Sequence, residues 1–303
     1  MDAVWSFGID GGGTRSRLRI FDRQTGRVLA ERLGASTNIY GVGEEQAKEN
    51  IRALLLSAGL PLENLRTGCL GSAGLSRAGE KAMFEAFFAE LLPACRMYLC
   101  NDAETLLVGA LEDTEGYCLI CGTGSIALAR SQDGNTARAG GLGYMLGDEG
   151  SALWIGWQGV QRALRSRENR DLPTALLPAL LGVFGLSTPE DFVAYMHRDF
   201  QKAKIAAAAQ TVLEYAENGD ELALAIEEQA VRELMALAQS VLWQLPLTRR
   251  RMALAGGVLE NNQPFRERLI DSLADAAPGL ELHLSKGDAL SGACRLAEEL
   301  KLI

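Results

Sequence analysis

The sequence has little histidine and no long basic segment. Only His197 and His283 occur in 303 residues, and neither lies near a motif serine, so a Ser-His-Asp hydrolase has weak support. The net charge is −9, and no run of Lys or Arg is long enough to follow a phosphate backbone. These features argue against a nucleic-acid partner, and the acidic balance is attributed to solubility.

The chain contains six cysteines. In a chain of this length, that number does not indicate a disulfide framework. Cys118 and Cys121 form a C-x-x-C motif, but segment 117–122 is typical of a strand, which would direct the two thiols to opposite faces. No second pair and no nearby histidine completes a zinc site. Both cysteines are therefore interpreted as structural.

Signals for secretion or membrane insertion are missing. Segment 1–5 has no basic region followed by an apolar stretch, so we expect a cytoplasmic protein without a membrane partner. The longest uncharged run, 172–189, contains Pro173, Pro178 and Pro189. Because these prolines would break a spanning helix, the run predicts a buried helix with loops.

Glycine, in contrast, is abundant, with 33 residues against a background of roughly 7%. Hydrophobic residues make up 48% of the chain and charged residues 23%, as is typical of soluble globular enzymes. The length suggests two domains of about 150 residues each.

Strand and helix patterns occur twice in the order βββαβαβ. In the first half, strands are predicted at 4–10, 16–21, 27–32, 68–71 and 97–100. In the second half, they are predicted at 117–121, 125–130, 136–140, 252–255 and 281–284. A long helical stretch follows the third strand of the second half. Duplicated halves predict an α/β protein that binds its ligand in the cleft between them.

The first glycine-rich segment joins two predicted strands and contains Asp10, Gly11, Gly12, Gly13 and Thr14. Its backbone can approach an anion closely, Thr14 can donate to a phosphate oxygen, and Asp10 can bind Mg²⁺ directly or through water. The segment is neither a Walker A loop nor a dinucleotide fingerprint, because no Lys-Ser/Thr follows and the next element is a strand. A glycine hairpin with an incidental Asp is the alternative.

Two further glycine turns follow strands of the second half. Gly122, Thr123 and Gly124 offer the same backbone and hydroxyl groups as the first segment, so both could hold one polyphosphate. Gly256 and Gly257 would let a flat adenine lie against the backbone, although a strand-to-helix turn needs glycine in any case.

Carboxylates occur at two informative places. Asp148 lies in the glycine-rich loop 140–151 before a predicted helix, where it could accept two sugar hydroxyls. A solvated acidic helix N-terminus is the alternative there. Asp102 follows the strand at 97–100, where it could accept the proton of an attacking hydroxyl. Its alternative role is a plain helix N-cap.

Five short strings occur in the order seen in the N-acetylglucosamine kinase family: DGGGTRS at 10–16, STN at 36–38, NDA at 101–103, GTGS at 122–125 and GDEGS at 147–151. The chain resembles this family, which belongs to the BadF/BadG/BcrA/BcrD-type branch of the actin-like/hexokinase superfamily. The resemblance implies an α/β fold of two actin-like (ribonuclease H-like) domains with an active-site cleft between them. The predicted domains are 1–112, completed by the C-terminal helix 288–303, and 113–287 with helical insertions.

For function, the resemblance implies a kinase that uses ATP and Mg²⁺ to phosphorylate an amino sugar, such as N-acetylglucosamine or glucosamine, at the 6-hydroxyl. Asp102 would be the general base and Asp10 would face Mg²⁺. ATP would contact Gly11, Gly12, Gly13, Thr14, Gly122, Thr123, Gly124, Gly256 and Gly257. The sugar would contact Asn38, Asp102, Ser125, Gly141, Leu142, Gly143 and Asp148.

One position departs from the family pattern. Animal members carry an aromatic residue beside the sugar where Leu142 stands, so its loss opens the way to glucosamine or a related amino sugar. The Ala-rich helices of 202–244 are interpreted as packing and as a candidate homodimer face.

The main alternative is an activator ATPase of a 2-hydroxyacyl-CoA dehydratase. That function needs an iron–sulfur cluster, for which Cys118 and Cys121 are the candidate ligands. An ATP-driven chaperone or filament protein is disfavoured, because Asp102 and Asp148 would then have no role.

Overall fold

The computed structural model describes residues 4–302, which form two compact units. Unit 1 contains the residues up to Gly116, the turn Arg130–Asn135 and the residues from Ser285 onward. Unit 2 contains Tyr117–Ala129 and Thr136–Leu284. The boundaries at 112 and 287 stay a prediction, because contacts alone do not define independently folding domains.

Unit 1 is built on a five-stranded sheet with the order β3-β2-β1-β4-β5. Its strands are β1 (Trp5–Gly11), β2 (Arg15–Asp22), β3 (Val28–Ala35), β4 (Leu65–Ser72) and β5 (Arg96–Cys100). Its helices are α1 (Ile39–Val42), α2 (Glu44–Leu56), α3 (Ala78–Leu91), α4 (Asp102–Leu111) and, at the end of the chain, α12 (Ala289–Glu299). The first three strands pair antiparallel, whereas β1, β4 and β5 run parallel.

Unit 2 has a second five-stranded sheet with the order β10-β9-β6-β7-β8. Its strands are β6 (Gly116–Cys121), β7 (Ser125–Arg130), β8 (Thr136–Gly140), β9 (Arg251–Ala255) and β10 (Glu281–Leu284). Its helices are α5 (Ala152–Arg167), α6 (Leu176–Phe184), α7 (Asp191–Arg198), α8 (Lys202–Glu217), α9 (Glu221–Gln244), α10 (Gly257–Asn261) and α11 (Gln263–Ala276). When the strands of each sheet are numbered from one to five along the chain, both sheets have the order 3-2-1-4-5 (the second sheet is read from β8 to β10). The predicted duplication is therefore confirmed at the level of topology.

Each unit has its own apolar core, and the middle strands of each sheet are covered on both faces. In unit 1, Phe7 and Ile9 of β1 pack with Leu70 of β4 and with Phe84 and Phe88 of α3. On the other face of β1, α12 passes so close that a Cβ on Gly8 would lie 2.7 Å from the backbone nitrogen of Cys294. Packing on both faces therefore holds the central strand β1 in place, and Asp10 lies near its C-terminal end.

The uncharged run 172–189 forms α6 and its flanking loops, as predicted. Leu176, Leu180 and Phe184 of this helix are buried in the core of unit 2. Within residues 4–302, no helix combines the length and the hydropathy needed to cross a bilayer. The short helices α1 and α10 were not predicted, because four or five residues give too little periodicity.

Candidate active site

Asp102 is the first residue of α4, two residues after the end of β5. The N-cap of this helix is Asn101, whose side chain accepts a hydrogen bond from the Ala103 amide at 3.0 Å. The alternative role of Asp102 as the N-cap is therefore wrong. A carboxylate that is not needed to cap the helix can serve another purpose.

The environment of Asp102 favours a basic carboxylate. Burial raises its pKa above the ordinary value, and the negative charge of Asp10 raises it further. A hydrogen bond from the Ala103 amide opposes both effects without cancelling them. A raised pKa makes a carboxylate a better proton acceptor, as a general base requires.

Asp10 is held by an arginine that belongs to none of the sequence motifs, Arg17. Arg17 stands directly opposite Asp10 in the antiparallel β1–β2 pair. Its Nε and Nη2 donate to Oδ2 of Asp10 at 3.0 and 2.8 Å, and its Nη1 donates to Asp288 at 2.5 Å. Asp288 in turn caps α12 through the Ser291 amide. Arg17 therefore fixes one oxygen of Asp10 and joins the hairpin to the C-terminal helix.

The three glycines after Asp10 differ in their surroundings. A Cβ on Gly11 would overlap Oγ1 of Thr37 and lie 2.9 Å from Oγ of Ser72, so this position requires glycine for packing. Gly13 and Thr14 are exposed, and a Cβ on Gly13 would lie 3.8 Å from the side-chain amide of Asn38. The exposed end of this hairpin is the part that a ligand can reach.

In unit 2, the predicted phosphate and adenosine turns lie side by side. A Cβ on Gly122 would lie 3.8 Å from the backbone nitrogen of Gly257. Gly256 has a φ of 95° and would place a Cβ 2.5 Å from the carbonyl oxygen of Cys121, so only glycine fits there. Two turns that are far apart in the chain thus meet at the ends of the neighbouring strands β6 and β9.

These turns open onto a cavity of ≈ 760 Å³. Its lining includes Gly122, Thr123, Gly257, Ala206, Ala209, Gln210, Glu214 and Glu217. The last five belong to α8, which the sequence indicated only as packing or a dimer face. An Ala-rich helix carries no motif, so a cavity-lining role had no signal in the sequence.

The loop 140–151 is folded back onto the 122–125 turn. A Cβ on Gly124 would lie 2.9 Å from the carboxylate of Asp148, and Oγ of Ser125 donates to the Glu149 carbonyl at 2.7 Å. Gly141 and Gly143 have positive φ values of 66° and 84°, which glycine tolerates. Asp148 itself has a φ of 62°, an uncommon conformation for a residue with a Cβ.

The carboxylate of Asp148 is only partly exposed, and Leu142 projects outward from the same loop. Burial raises the pKa of Asp148, while the Ser125 amide lowers it. The Leu142 side chain is 63% exposed. A partly buried carboxylate beside an exposed apolar side chain suits a ligand with both hydroxyl and apolar surfaces.

The two cysteines of the C-x-x-C motif are buried on opposite faces of β6. Cys121 belongs to the core together with Tyr117 and Leu119, and Cys118 lies on the other face. Burial raises the pKa of Cys118 to about 12 and raises that of Cys121 as well. Thiols that are both fully buried and oppositely directed cannot bind one cluster shared with a partner subunit.

A model of the BadF/BadG/BcrA/BcrD ATPase family matches residues 7–294. The chain belongs to this family. It is 31% identical over 297 residues to the N-acetylmuramic acid/N-acetylglucosamine kinase of Clostridium acetobutylicum, covering 96% of this chain and 97% of that protein. It is 30% identical over 308 residues to the N-acetyl-D-glucosamine kinase of Dictyostelium discoideum, covering 96% of each.

A solved structure shares the fold. A Chromobacterium violaceum protein assigned as an N-acetylglucosamine kinase superimposes with a TM-score of 0.73 at 29% identity, covering 98% of this chain and 100% of that chain. The predicted family is confirmed, and so is the predicted actin-like α/β fold, which consists of two compact units. Within that fold, the motif residues gather in two groups, one around Asp10 and Asp102 in unit 1 and one around Gly122, Asp148 and Gly257 in unit 2.

Proposed function

We propose that the protein is an ATP-dependent kinase that transfers the γ-phosphoryl group of ATP to a hydroxyl group of an amino sugar. The observation that carries this proposal is the half-buried Asp102, whose raised pKa and position at the start of α4 suit a general base. The activities of the Clostridium and Dictyostelium relatives support an amino sugar as the acceptor.

ATP would bind in the 760 Å³ cavity of unit 2. The phosphates would lie at Gly122, Thr123 and Gly124, where amides and a hydroxyl can donate hydrogen bonds. Adenosine would lie beside Gly256 and Gly257, against the alanines of α8. Glu214 and Glu217 also line this cavity, where they would repel phosphates and could accept hydrogen bonds from the ribose hydroxyls. The charge pattern therefore favours one orientation of the nucleotide.

The proposed sugar contacts are Asn38, Asp102, Ser125 and Asp148. Asp102 would accept the proton of the 6-hydroxyl as its oxygen attacks the γ-phosphorus and the bond to the leaving ADP oxygen breaks. Most of the remaining acceleration comes from positioning and from donors that face the developing charge. The backbone of 141–143 would complete the sugar contacts.

The residues at Asp10 fit a magnesium ion. Both hydrogen bonds from Arg17 go to Oδ2 of Asp10, so Oδ1 keeps its lone pairs for a metal or a metal-bound water. No cluster of three or more His, Cys, Asp or Glu side chains exists in the described part of the chain. Mg²⁺ commonly binds through one or two carboxylates together with substrate phosphates. When bound, it would neutralise charge on the β- and γ-phosphates.

Replacing Arg17 with Gln should weaken the response to magnesium. Asp10 would lose the two bonds that orient its carboxylate, and the concentration of Mg²⁺ for half-maximal activity should rise about tenfold or more, as is usual when an outer-sphere partner is removed. Direct titration with Mn²⁺ and ATP by electron paramagnetic resonance should show the same loss. Arg19→Gln is the control, because Arg19 lies on β2 like Arg17 but pairs with the exposed Glu31 of β3. Equal metal affinity in both variants would contradict the orienting role.

The acceptor can be tested with a coupled ADP-release assay. We expect turnover with at least one of N-acetylglucosamine, glucosamine, N-acetylmuramic acid and N-acetylmannosamine, and far less with glucose. Phosphorus–proton coupling in the product spectrum should place the phosphate on the 6-oxygen. ATP hydrolysis that no sugar accelerates would contradict the kinase proposal.

Two finer features belong to the same proposal. A cytoplasmic location is supported by the six cysteines, none of which forms a disulfide. A homodimer is supported by Trp243 near the end of α9, which is 86% exposed. Light scattering of the purified chain would test the homodimer.

A further inference from the structure

Unit 2 contains a second cavity, of ≈ 490 Å³, beside the loop that carries Asp148. Gly147 and Asp148 form its polar edge. The rest of its lining is apolar and includes Tyr144, Met145, Trp154, Trp157, Met196 and Phe200. We call this cavity the aromatic subsite. A ligand that is held at Asp148 therefore has apolar surface within reach.

The polar edge and the indole rings of this cavity belong to one continuous segment. Ser151 is the N-cap of α5, and its Oγ accepts a hydrogen bond from the Trp154 amide at 3.2 Å. Trp154 and Trp157 are three residues apart in this helix, so their side chains are neighbours on its surface. Trp157 also meets the Phe200 ring edge-on, with ring centres 6.2 Å apart, and is still 38% exposed. The wall is therefore ordered and open to a ligand.

The lining of the cavity determines which chemical groups suit it. Among the described residues that line it, only Asp148 carries a charge, so an anionic group would be repelled at the edge and find no cation on the wall. A second sugar ring has hydroxyls around its whole rim, and they would lose hydrogen bonds to water along the apolar wall. An uncharged aliphatic group has neither penalty, and its burial is favourable.

The carboxylate at the edge favours one way of attaching such a group to the sugar. An ionised Asp148 only accepts hydrogen bonds, so an N–H beside the aliphatic group suits it. An N-acyl group provides this N–H at the point where its chain begins. The ether oxygen of an alkyl glycoside has no hydrogen to donate. An N-acylated amino sugar therefore matches both the edge and the wall.

The volume of the cavity exceeds what an acetyl group fills. An acetyl group has three heavy atoms, and at about 30 Å³ each, the share of one water molecule in the liquid, it occupies about 90 Å³. A pentanoyl group has six heavy atoms and occupies about 180 Å³ on the same basis. Both volumes are well below the ≈ 490 Å³ of the cavity. The flexible side chains of Met145 and Met196 can adapt to the longer chain.

We propose that the aromatic subsite binds the N-acyl chain of the amino sugar and favours chains longer than acetyl. Asp148 accepts the amide N–H, and the methylene groups lie against Trp154 and Trp157. The assignment rests on the proposed kinase function and narrows its substrate class to amino sugars with a longer, uncharged N-acyl chain.

The test measures kcat/KM for the N-acetyl, N-propanoyl, N-butanoyl and N-pentanoyl derivatives of glucosamine. Each added methylene group should raise the value about two- to fourfold, as expected for the burial of one CH₂. Trp157→Ala removes the exposed indole and should reduce the gain between acetyl and pentanoyl at least threefold. Met196→Ala is a second variant and should reduce the gain in the same direction. Val193→Ala is the matched control and should keep the wild-type gain, because Val193 lies on α7 like Met196 but is 63% exposed and outside the cavity lining.

Alkyl glycosides of N-acetylglucosamine and its β-linked disaccharide test the competing ligands, and neither should be used better than N-acetylglucosamine itself. A wild-type series that is flat or falls with chain length would overturn the proposal. A gain with the glycosides or the disaccharide but none with the N-acyl chains would do the same, as would a gain that both Trp157→Ala and Met196→Ala leave intact. Absence of turnover with every sugar would contradict the kinase proposal instead, so the two failures are distinguishable.

Discussion

Replacing Asp102 with Asn should remove most of the catalysis and leave sugar binding in place. The amide has nearly the shape of the carboxylate but cannot accept the proton of the attacking hydroxyl. General-base catalysis typically contributes about 10²- to 10⁴-fold, so kcat should fall by that factor. Calorimetric titration should show that the sugar still binds. A variant with near-normal kcat would remove Asp102 from its proposed role.

The same substitution should stabilise the fold. Because the folded-state pKa of Asp102 is raised, the stability that this group contributes is fully present below its unfolded pKa and is lost as the pH rises through the folded pKa. At pH 7 the half-buried carboxylate therefore lowers the free energy of unfolding, and a neutral Asn removes that cost. We expect a higher melting temperature for Asp102→Asn at pH 7 by calorimetry, with the difference shrinking as the pH falls towards 4.

Asp171→Asn is the matched control, with the opposite sign. Arg162 holds Asp171 by hydrogen bonds of 3.0 and 2.8 Å and lowers its pKa to about 2. This carboxylate contributes stability above its unfolded pKa of about 4, and the contribution is lost as the pH falls through about 2. The substitution should therefore lower the melting temperature at pH 7 while kcat is retained. Two carboxylate-to-amide changes in one chain would then shift stability in opposite directions.

The loss of activity in acid should follow Asp102 as well. The base works only when it is deprotonated, so kcat of the wild-type protein should fall as the pH drops through the raised pKa of Asp102. The midpoint should lie above the ordinary value of 3.8 for an aspartate. A profile that is flat down to that pH would contradict the raised pKa.

Part of the motif group of each unit could be predicted because its residues lie at strand ends. Asp10, Gly122 and Gly257 each lie at or next to the end of a strand that the apolar pattern had already located. Parallel neighbouring strands end at the same edge of a sheet, so motifs that follow them come together without further information. The contact of Gly122 with Gly257 is an example.

The side chains that contact these residues were harder to predict from the sequence. Arg17 binds Asp288 across 271 positions, and nothing in either local sequence indicates the other. Likewise, Tyr144 and Phe200 lie on segments that the sequence treats as unrelated, and their stacking depends on how α5, α7 and α8 pack. Local propensity locates elements, whereas the side chains that orient a ligand depend on tertiary contacts.

Gly292→Ala should be among the most destabilising single substitutions in the chain. Helices α4 and α12 cross in unit 1 with their backbones almost in contact, and a Cβ on Gly292 would overlap the carbonyl oxygen of Thr105 and lie 2.6 Å from the backbone nitrogen of Gly109. Backbone atoms cannot rotate away as a side chain can, so one helix must shift. We expect a loss of about 3 kcal/mol or more in the free energy of unfolding, measured by chemical denaturation.

The consequence should extend to the active site, because α4 starts at Asp102 and α12 starts beside Asp288. Folded Gly292→Ala protein should therefore also lose activity. Gly182→Ala is the control: Gly182 lies within α6, and a Cβ there would meet nothing within 4 Å. Since alanine favours helices over glycine by about 1 kcal/mol, this variant should be as stable as the wild type or more so. If Gly292→Ala matched Gly182→Ala in stability, the close crossing of α4 and α12 would not be what holds the base in place.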